Sequence, residues 1–301
     1  YELGVRLVLE RNDFYHLGPP KLSQVRFILS GGTGMLMYEN DEIQITGVGL
    51  GDLDRILDPS SSLHSQLKRA PPTFSTQYIG MNVNEPPFDD PKVRLALNYA
   101  INREEIANIV LGDLVVPSKG IIPPDFPGYD PTIEGYKYDP ARAVQLLAES
   151  KYGGPENLPL IILTSPGSFG ANVGLDTQVI QEMWRQNLGI EVEVQQTDFV
   201  VYLQDLNRRL FQMFEIGWVA DYPDPENFLD ILFHSQSTNN HTGYSNPEVD
   251  EMLERARVGT EEARFALYHQ IERMILKDAP WIPFWHSGEQ FVLVKPNVRN
   301  Y

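Results

Sequence analysis

Residues 217–228, GWVADYPDPENF, place Asp221, Asp224 and Glu226 around two prolines directly after the apolar run FQMFEIGWV. Acids this close could act as paired catalytic carboxylates, calcium ligands, turn and helix caps, or a seat for a cation. A glycosidase pair must flank the scissile bond with its carboxyls at least about 5 Å apart, and neighbours on one turn rarely flank anything. A calcium loop needs six or more oxygens, and Asp-Tyr-Pro-Asp-Pro-Glu lacks the alternating acids and glycine of an EF-hand. Asp224 precedes Pro225 at the opening of a helix, an ordinary capping position. Asp221 comes before that cap, just after Gly217, Trp218 and Val219 and next to Tyr222, so capping does not explain it. A carboxylate beside an indole suits an ammonium group, through a charge-assisted hydrogen bond and a cation-attracting wall. Satisfaction by the backbone amides of its own turn is the competing reading.

Other candidate chemistry is thin. GGTG at 31–34 lacks the Lys-Ser/Thr of a phosphate loop, GSFG at 167–170 lacks the spacing of a nucleophile elbow, and both read as turns. No two of the six histidines stand at the i, i+4 spacing of a helical metal pair. His234 and His241 flank the polar loop SQSTNN without further donors to complete a ligand set. The absence of cysteine removes thiol catalysis, disulfides and Cys-ligated zinc. No metal, cofactor or catalytic residue is therefore expected. A hydrolase built on the acids of 221–226 would lack a nucleophile and base arrangement.

The elements around these residues suggest how they are held. LIILT, the helix TQVIQEMWRQNL, the alternating IEVEVQQ, the helix DFVVYLQDLNRRL and the strand FQMFEIGWV follow one another from about residue 159. In the first of these helices Val179, Ile180, Met183, Trp184 and Leu188 share a face, and Gly189 stops it. Strand–helix–strand order of this kind requires crossovers and a parallel-containing α/β sheet. GWVADY then lies at the carboxyl end of a strand, where such sheets place ligands. Three helices follow, near ENFLDILF, PEVDEMLERARV and EEARFALYHQIERMILKD, the last expected to bury Leu267, Ile271 and Ile275. WIPFWH and QFVLVKP close the chain as strands.

Upstream, VRLVLE, QVRFIL, EIQITGV and QYIGMNV read as strand pieces separated by turns, with sparse regular structure. Asp90 and Pro91 open a helix, and Asn102 with Glu105 forms a capping-box-like start to the next. The proline- and aromatic-rich stretch 115–138 has no period and reads as a long ordered loop over a surface. Asp139 and Pro140 open the helix ARAVQLLAES.

At 301 residues the chain can form two compact units. A balance of 24 basic against 41 acidic residues, net −17, argues against nucleic acid and anionic membrane partners. No apolar run reaches the roughly 18 residues of a membrane span. The opening YELGVRLVLERND is no signal peptide and reads as a strand already under way, so the chain is expected to begin inside a larger protein.

The segments YIGMNVNEPPFDDPKVRLALNYAINREEI, DPARAVQLLAES and FEIGWVADYPDPENFL together resemble the extracellular solute-binding proteins of the dipeptide and oligopeptide transport family, and the resemblance covers nearly the whole chain. It implies an α/β, periplasmic-binding-protein-like (type II) two-lobed architecture, with residues 1–84 a partial first lobe, 85–284 a complete second lobe and 285–301 a return strand. QYIGMNV and the run around His286 would be the crossings between lobes. The implied function is non-catalytic: the lobes close on a peptide and deliver it to the membrane permease of an ABC importer, in the periplasm or outside the cell. Asp221 would hold the ligand's α-ammonium, the backbone of Gly217, Trp218 and Val219 its main chain, and Trp218, Phe199 and Tyr222 would line the site. Strand addition of this kind reads any peptide, while pockets read side chains. Some oligopeptide binders place a cation where this sequence has Glu215, and no obvious Arg or His is present to receive a ligand carboxylate. Another solute such as an oligosaccharide is the alternative ligand. The incomplete first lobe would also expose sheet edges through which two copies could associate.

Overall fold

The computed structural model of the chain describes residues 1–2, 4–30, 32–167 and 174–299. In chain order it runs β1 (Arg6–Glu10), β2 (Gln24–Ile28), α1 (Gly34–Glu39), β3 (Ile45–Gly47), α2 (Leu50–Leu57), β4 (Leu67–Ala70) and β5 (Ser75–Met81). Next come α3 (Pro91–Tyr99), α4 (Arg103–Glu105), β6 (Val115–Pro117), α5 (Pro140–Ala148), β7 (Ile161–Gly167), α6 (Leu175–Leu188) and β8 (Val192–Asp198). They are followed by α7 (Phe199–Asn207), β9 (Met213–Val219), α8 (Glu226–Phe233), α9 (Pro247–Ala256), α10 (Glu261–Asp278), β10 (Trp281–Ser287) and β11 (Gln290–Val294).

The chain divides into two compact units, Tyr1–Ala70 with the segment from Phe291 onward, and Pro71–Gln290. The larger unit extends beyond the sequence-based bounds of 84 and 284 because β5 and β10 pair with each other inside its sheet, from Trp281↔Gly80 to His286↔Thr76. In the smaller unit β1 and β2 form an antiparallel hairpin, and β3, β11 and β4 form a three-stranded sheet in that order. Two helices there, α1 and α2, stand where sequence showed only turns and strand pieces. In α2, Leu53 and Ile56 are buried three residues apart on one face.

The larger unit is built on a six-stranded mixed sheet, ordered β6-β10-β5-β9-β7-β8. β7 is parallel to β8 and β9, whereas β5 is antiparallel to β9 and β10. Alternate strand residues point to opposite faces, and each face carries its own core. Ile79, Met81, Leu163, Met213 and Phe284 pack with α3, α5 and α6, around Trp184 and Leu147. Tyr78, Phe214 and Trp281 pack with α7, α8, α9 and α10, around Phe228, Leu253 and Ile271.

Helix starts follow from local chemistry. Asp90 accepts from Lys92 N at 2.8 Å, Asp139 from Arg142 N at 2.9 Å and Asn246 from Glu248 N at 3.1 Å, each followed by a proline that needs no amide partner. Asn102 caps the next helix, Glu105 N donating to its Oδ1 at 3.2 Å; the Glu105 carboxylate accepts from the Asn102 side-chain Nδ2 at 3.2 Å, while the Asn102 backbone N–H goes to Met183 Sδ, so only half of the expected capping box forms.

The loop 118–138 is ordered by α10. Glu272 Oε1 accepts from Ile121 N at 2.6 Å and Ile122 N at 3.1 Å, His269 Nε2 donates to Gly128 O at 3.1 Å, and Arg273 pairs with Asp130. The buried stripe of α10 is Tyr268, Ile271, Glu272 and Ile275, with the expected Leu267 only half-buried. Polar Glu272 takes a core position because the loop's amides meet it there.

Candidate functional site

Sheet topology selects where a site can form. The chain leaves β7 for α6 on one face of the sheet, and leaves β9 for α8 on the other. Adjacent parallel strands whose exits part in this way open a crevice at their carboxyl ends. The pairing records that opening: β7 and β9 are in register at Leu163↔Met213 and Thr164↔Phe214, and among the described residues 216–219 pair with no strand on that side.

On its other side β9 stays paired with β5 as far as Ser75↔Val219. Ala220 N donates to Phe74 O at 2.8 Å. Main-chain groups alternate sides along an antiparallel ladder, so Trp218 and Ala220 face β5, whereas Glu215, Gly217 and Val219 face the opening. Tyr202 of α7 closes part of it by donating its hydroxyl to Glu215 O at 2.6 Å. The N–H and C=O groups of Gly217 and Val219 remain on the unpaired stretch. Gly217 leaves room beside it for the Gln77 side chain, whose Oε1 would lie 2.3 Å from a Cβ and would have to turn aside for a larger residue.

The acids separate by role. Asp224 is fully engaged: its Oδ1 accepts from Glu226 N at 3.0 Å, and Arg264 Nη2 reaches both carboxylate oxygens at 2.7 and 2.8 Å. Asp221 is exposed, and among the described residues its carboxylate has neither a hydrogen bond nor an ion pair. Its backbone is held instead. Asp221 N donates to Asn227 Oδ1 at 3.2 Å, and Trp218 Nε1 donates to the same oxygen at 2.9 Å. Asn227 is completely buried at the start of α8.

Val219 and Tyr222 are exposed beside Asp221, and Trp218 is half-buried on the α8 face. Partial burial raises the Tyr222 phenol's pKa, with the Asn227 side chain acting against the rise. Phe199, half-exposed, begins α7 at the end of β8, where Asp198 accepts from Val200 N at 3.0 Å. It shares the carboxyl end of the sheet with Trp218 but is not its neighbour. β7 stands between their strands, a separation of about 10 Å at ordinary strand spacing.

Beneath the opening lies Glu215, buried, with Thr177 Oγ1 donating to its Oε2 at 2.6 Å. Desolvation raises its pKa above the ordinary carboxylate value, opposed by hydrogen bonds from Thr177, Ser165 and Gln77, while nearby Asp176 adds to the rise. Arg264, the cation nearest the turn in its contacts, is taken by Asp224. His234 and His241 lie apart in their bonding: His234 Nδ1 accepts from Gln236 N at 3.2 Å, and His241 Nε2 pairs with Asn207 Oδ1 at 3.0 Å. Gly167 ends β7, and the remainder of GSFG lies outside the described residues.

Sequence reasoning missed Asn227 and Arg264. In ENFLDILF an asparagine in the first turn resembles a solvent-facing polar residue, and its only distinguishing mark is its place beside Phe228 and Leu229 on the buried side. Arg264 lies too far along the chain for any local pattern to join it to Asp224.

Residues 1–240 match the family described as bacterial extracellular solute-binding proteins, family 5 Middle. The chain is 27% identical over 300 residues to the oligopeptide-binding protein OppA of Bacillus subtilis, covering 95% of this chain and 54% of that protein. It is 32% identical over 230 residues to di/tripeptide-binding protein 2 of Pseudomonas aeruginosa, covering 75% and 43%. Among solved structures it superposes on the Escherichia coli murein tripeptide binding protein MppA with a TM-score of 0.84 and 26% identity, over 97% of this chain and 58% of that one. The chain thus spans about half the length of the curated relatives it matches.

Proposed function

The chain belongs to the bacterial extracellular solute-binding proteins of family 5, and from that premise we propose that it forms part of a receptor that binds a peptide without altering it and delivers it to the permease of an ABC importer, in the periplasm or outside the cell. Its fold is α/β and periplasmic-binding-protein-like. The observation that carries the peptide reading is the unpaired stretch of β9 ending at an acid without a partner. Gly217 and Val219 offer an extended main chain its own complement of donors and acceptors. One turn on, Asp221 offers a carboxylate to the positive terminus of that chain. Trp218 and Tyr222 flank it, and Phe199 stands farther off at the same end of the sheet.

Glu215, a carboxylic acid, cannot serve as the cationic partner of a ligand carboxylate. The aromatic side chains are the one feature that would equally suit an oligosaccharide, which keeps a sugar as the second reading. The two are separated by native mass spectrometry of the full-length protein purified without refolding. Retained masses should correspond to short peptides. A carbohydrate series in their place would overturn the peptide reading.

A further inference from the structure

We propose that Asn227 is the positioning residue of this site, fixing the indole of Trp218 and the backbone of Asp221 to one another through a single buried oxygen. The proposal rests on the peptide reading for its effect on affinity, and on geometry alone for the positioning itself. Beyond Val219 the chain has left the ladder, and Asp221–Asp224 is an irregular turn with prolines at 223 and 225. An irregular exposed turn has no repeating hydrogen-bond pattern to fix it; Arg264 holds its far end at Asp224, and Asn227 holds the backbone at Asp221 itself.

That anchor is rigid. Asn227 is fully buried, and its helix is held by Phe228, Leu229, Leu232 and Phe233 in the core and by Asp230, whose two oxygens pair with Arg257 at 2.7 and 2.8 Å. Both lone pairs of Asn227 Oδ1 are used, one by an indole N–H and the other by the Asp221 amide. Removing the oxygen would take the acceptor from both part-buried donors at once. The Asp221 carboxylate touches none of this network, so it is placed by the clamp and left free to meet a ligand.

The test uses the full-length protein and three variants. Asn227→Leu keeps the volume and removes the acceptor. Asn227→Ser, too short to reach both donors, gives the same reading should the leucine variant not fold. Asn227→Asp keeps an acceptor oxygen in place. Without ligand, hydrogen exchange by 1H–15N NMR at Trp218 Nε1–H and Asp221 N–H should speed by about tenfold or more in the leucine and serine variants, the factor set by losing roughly 1.4 kcal/mol of protection, and stay near wild type in Asn227→Asp. With Ala-Ala-Ala and its N-acetyl derivative as probes, the preference for the free amine should collapse in the first two and persist in the third. A general loss of structure would weaken both probes alike and leave their ratio intact. Unchanged exchange at the two N–H groups, or a preserved amine preference in Asn227→Leu and Asn227→Ser, overturns the assignment. Absence of any amine preference in the wild type would overturn the peptide reading, with the exchange measurement still deciding the role of Asn227.

Discussion

Replacing Glu272 by glutamine should make the larger unit more stable above pH 7 while leaving it nearly unchanged at pH 5. Glu272 is 1% exposed on α10, its Oε1 takes two loop amides and its Oε2 has no partner among the described residues. Burial pushes its carboxyl up to about 7 from 4.5, against the lowering effect of the Ile122 and Ile121 amides. A folded value above the unfolded one means that the folded state holds the proton more tightly. The associated stability is complete below pH 4.5 and is lost as pH rises through 7. At about 1.4 kcal/mol per pH unit, ionisation should cost roughly 3 kcal/mol by pH 8. Glutamine keeps the acceptor oxygen and never ionises, so the Glu272→Gln variant should gain that amount at pH 8, about 6–12 °C in Tm for a unit of this size. All four tryptophans lie within Pro71–Gln290, so fluorescence-detected urea or thermal unfolding reports on this unit. Comparing wild type and variant at pH 5, 6.5 and 8 cancels the other titrating groups. Parallel stability curves for the two proteins would refute the reasoning.

Buried His286 and His241 carry the opposite sign, both lowered to about 4 from 6.5 chiefly by desolvation. Their stability is present above pH 6.5 and fades as pH falls toward 4, so the Glu272→Gln variant should show net proton uptake on unfolding at pH 5.5 in potentiometric titration. Asp221→Asn should weaken Ala-Ala-Ala by about ten- to a hundredfold in calorimetry of the full-length protein, the range set by roughly 1.5–3 kcal/mol for a charge-assisted hydrogen bond; a change under threefold would return Asp221 to a structural role. Asp224→Asn should leave that affinity within about twofold and lower stability by roughly 1.5–3 kcal/mol, as expected on losing the charge of an ion pair whose side chains are only 21% and 26% exposed, with the capping bond retained by asparagine. Gly217→Ala should leave Tm near wild type, because the Gln77 Oε1 that a Cβ would meet is the end of a flexible side chain and can turn away. A large drop in Tm that Gln77→Ala in the same chain restores would show instead that Gln77 is held rigidly.

The sequence was most informative where a pattern repeats. The face of α6, the Asn102 cap and the β7-α6-β8-α7-β9 alternation could all be read because periodicity and capping are local. The larger unit's limits were not, since strands 75–81 and 281–287 join through long-range pairing that neither segment announces. Nor was the helix over Leu50–Leu57, which Gly51 and the surrounding glycines disguised as turn. At the site, the singular position of Asp221 against the capping position of Asp224 followed from proline spacing. Phe199 was placed at the correct end of the sheet, but strand order, which sequence does not give, set it two strands from Trp218. Asn227 escaped because the meaning of a buried amide lies in who donates to it.

Helix α10 joins segments that the chain keeps far apart. Its Arg264 grips Asp224 in the turn after Asp221, and its His269, Glu272 and Arg273 grip the loop 118–138. Loop and turn also meet directly: Gly128, at φ +76°, lies so close to Pro225 that a Cβ would come within 2.4 Å of its ring. A crossbeam fastened at both ends makes its attachments open together. Loop, turn and helix thus constitute one cooperative unit of local unfolding, and a surface substitution on α10 far from Asp221 will be felt in how often that acid leaves its place.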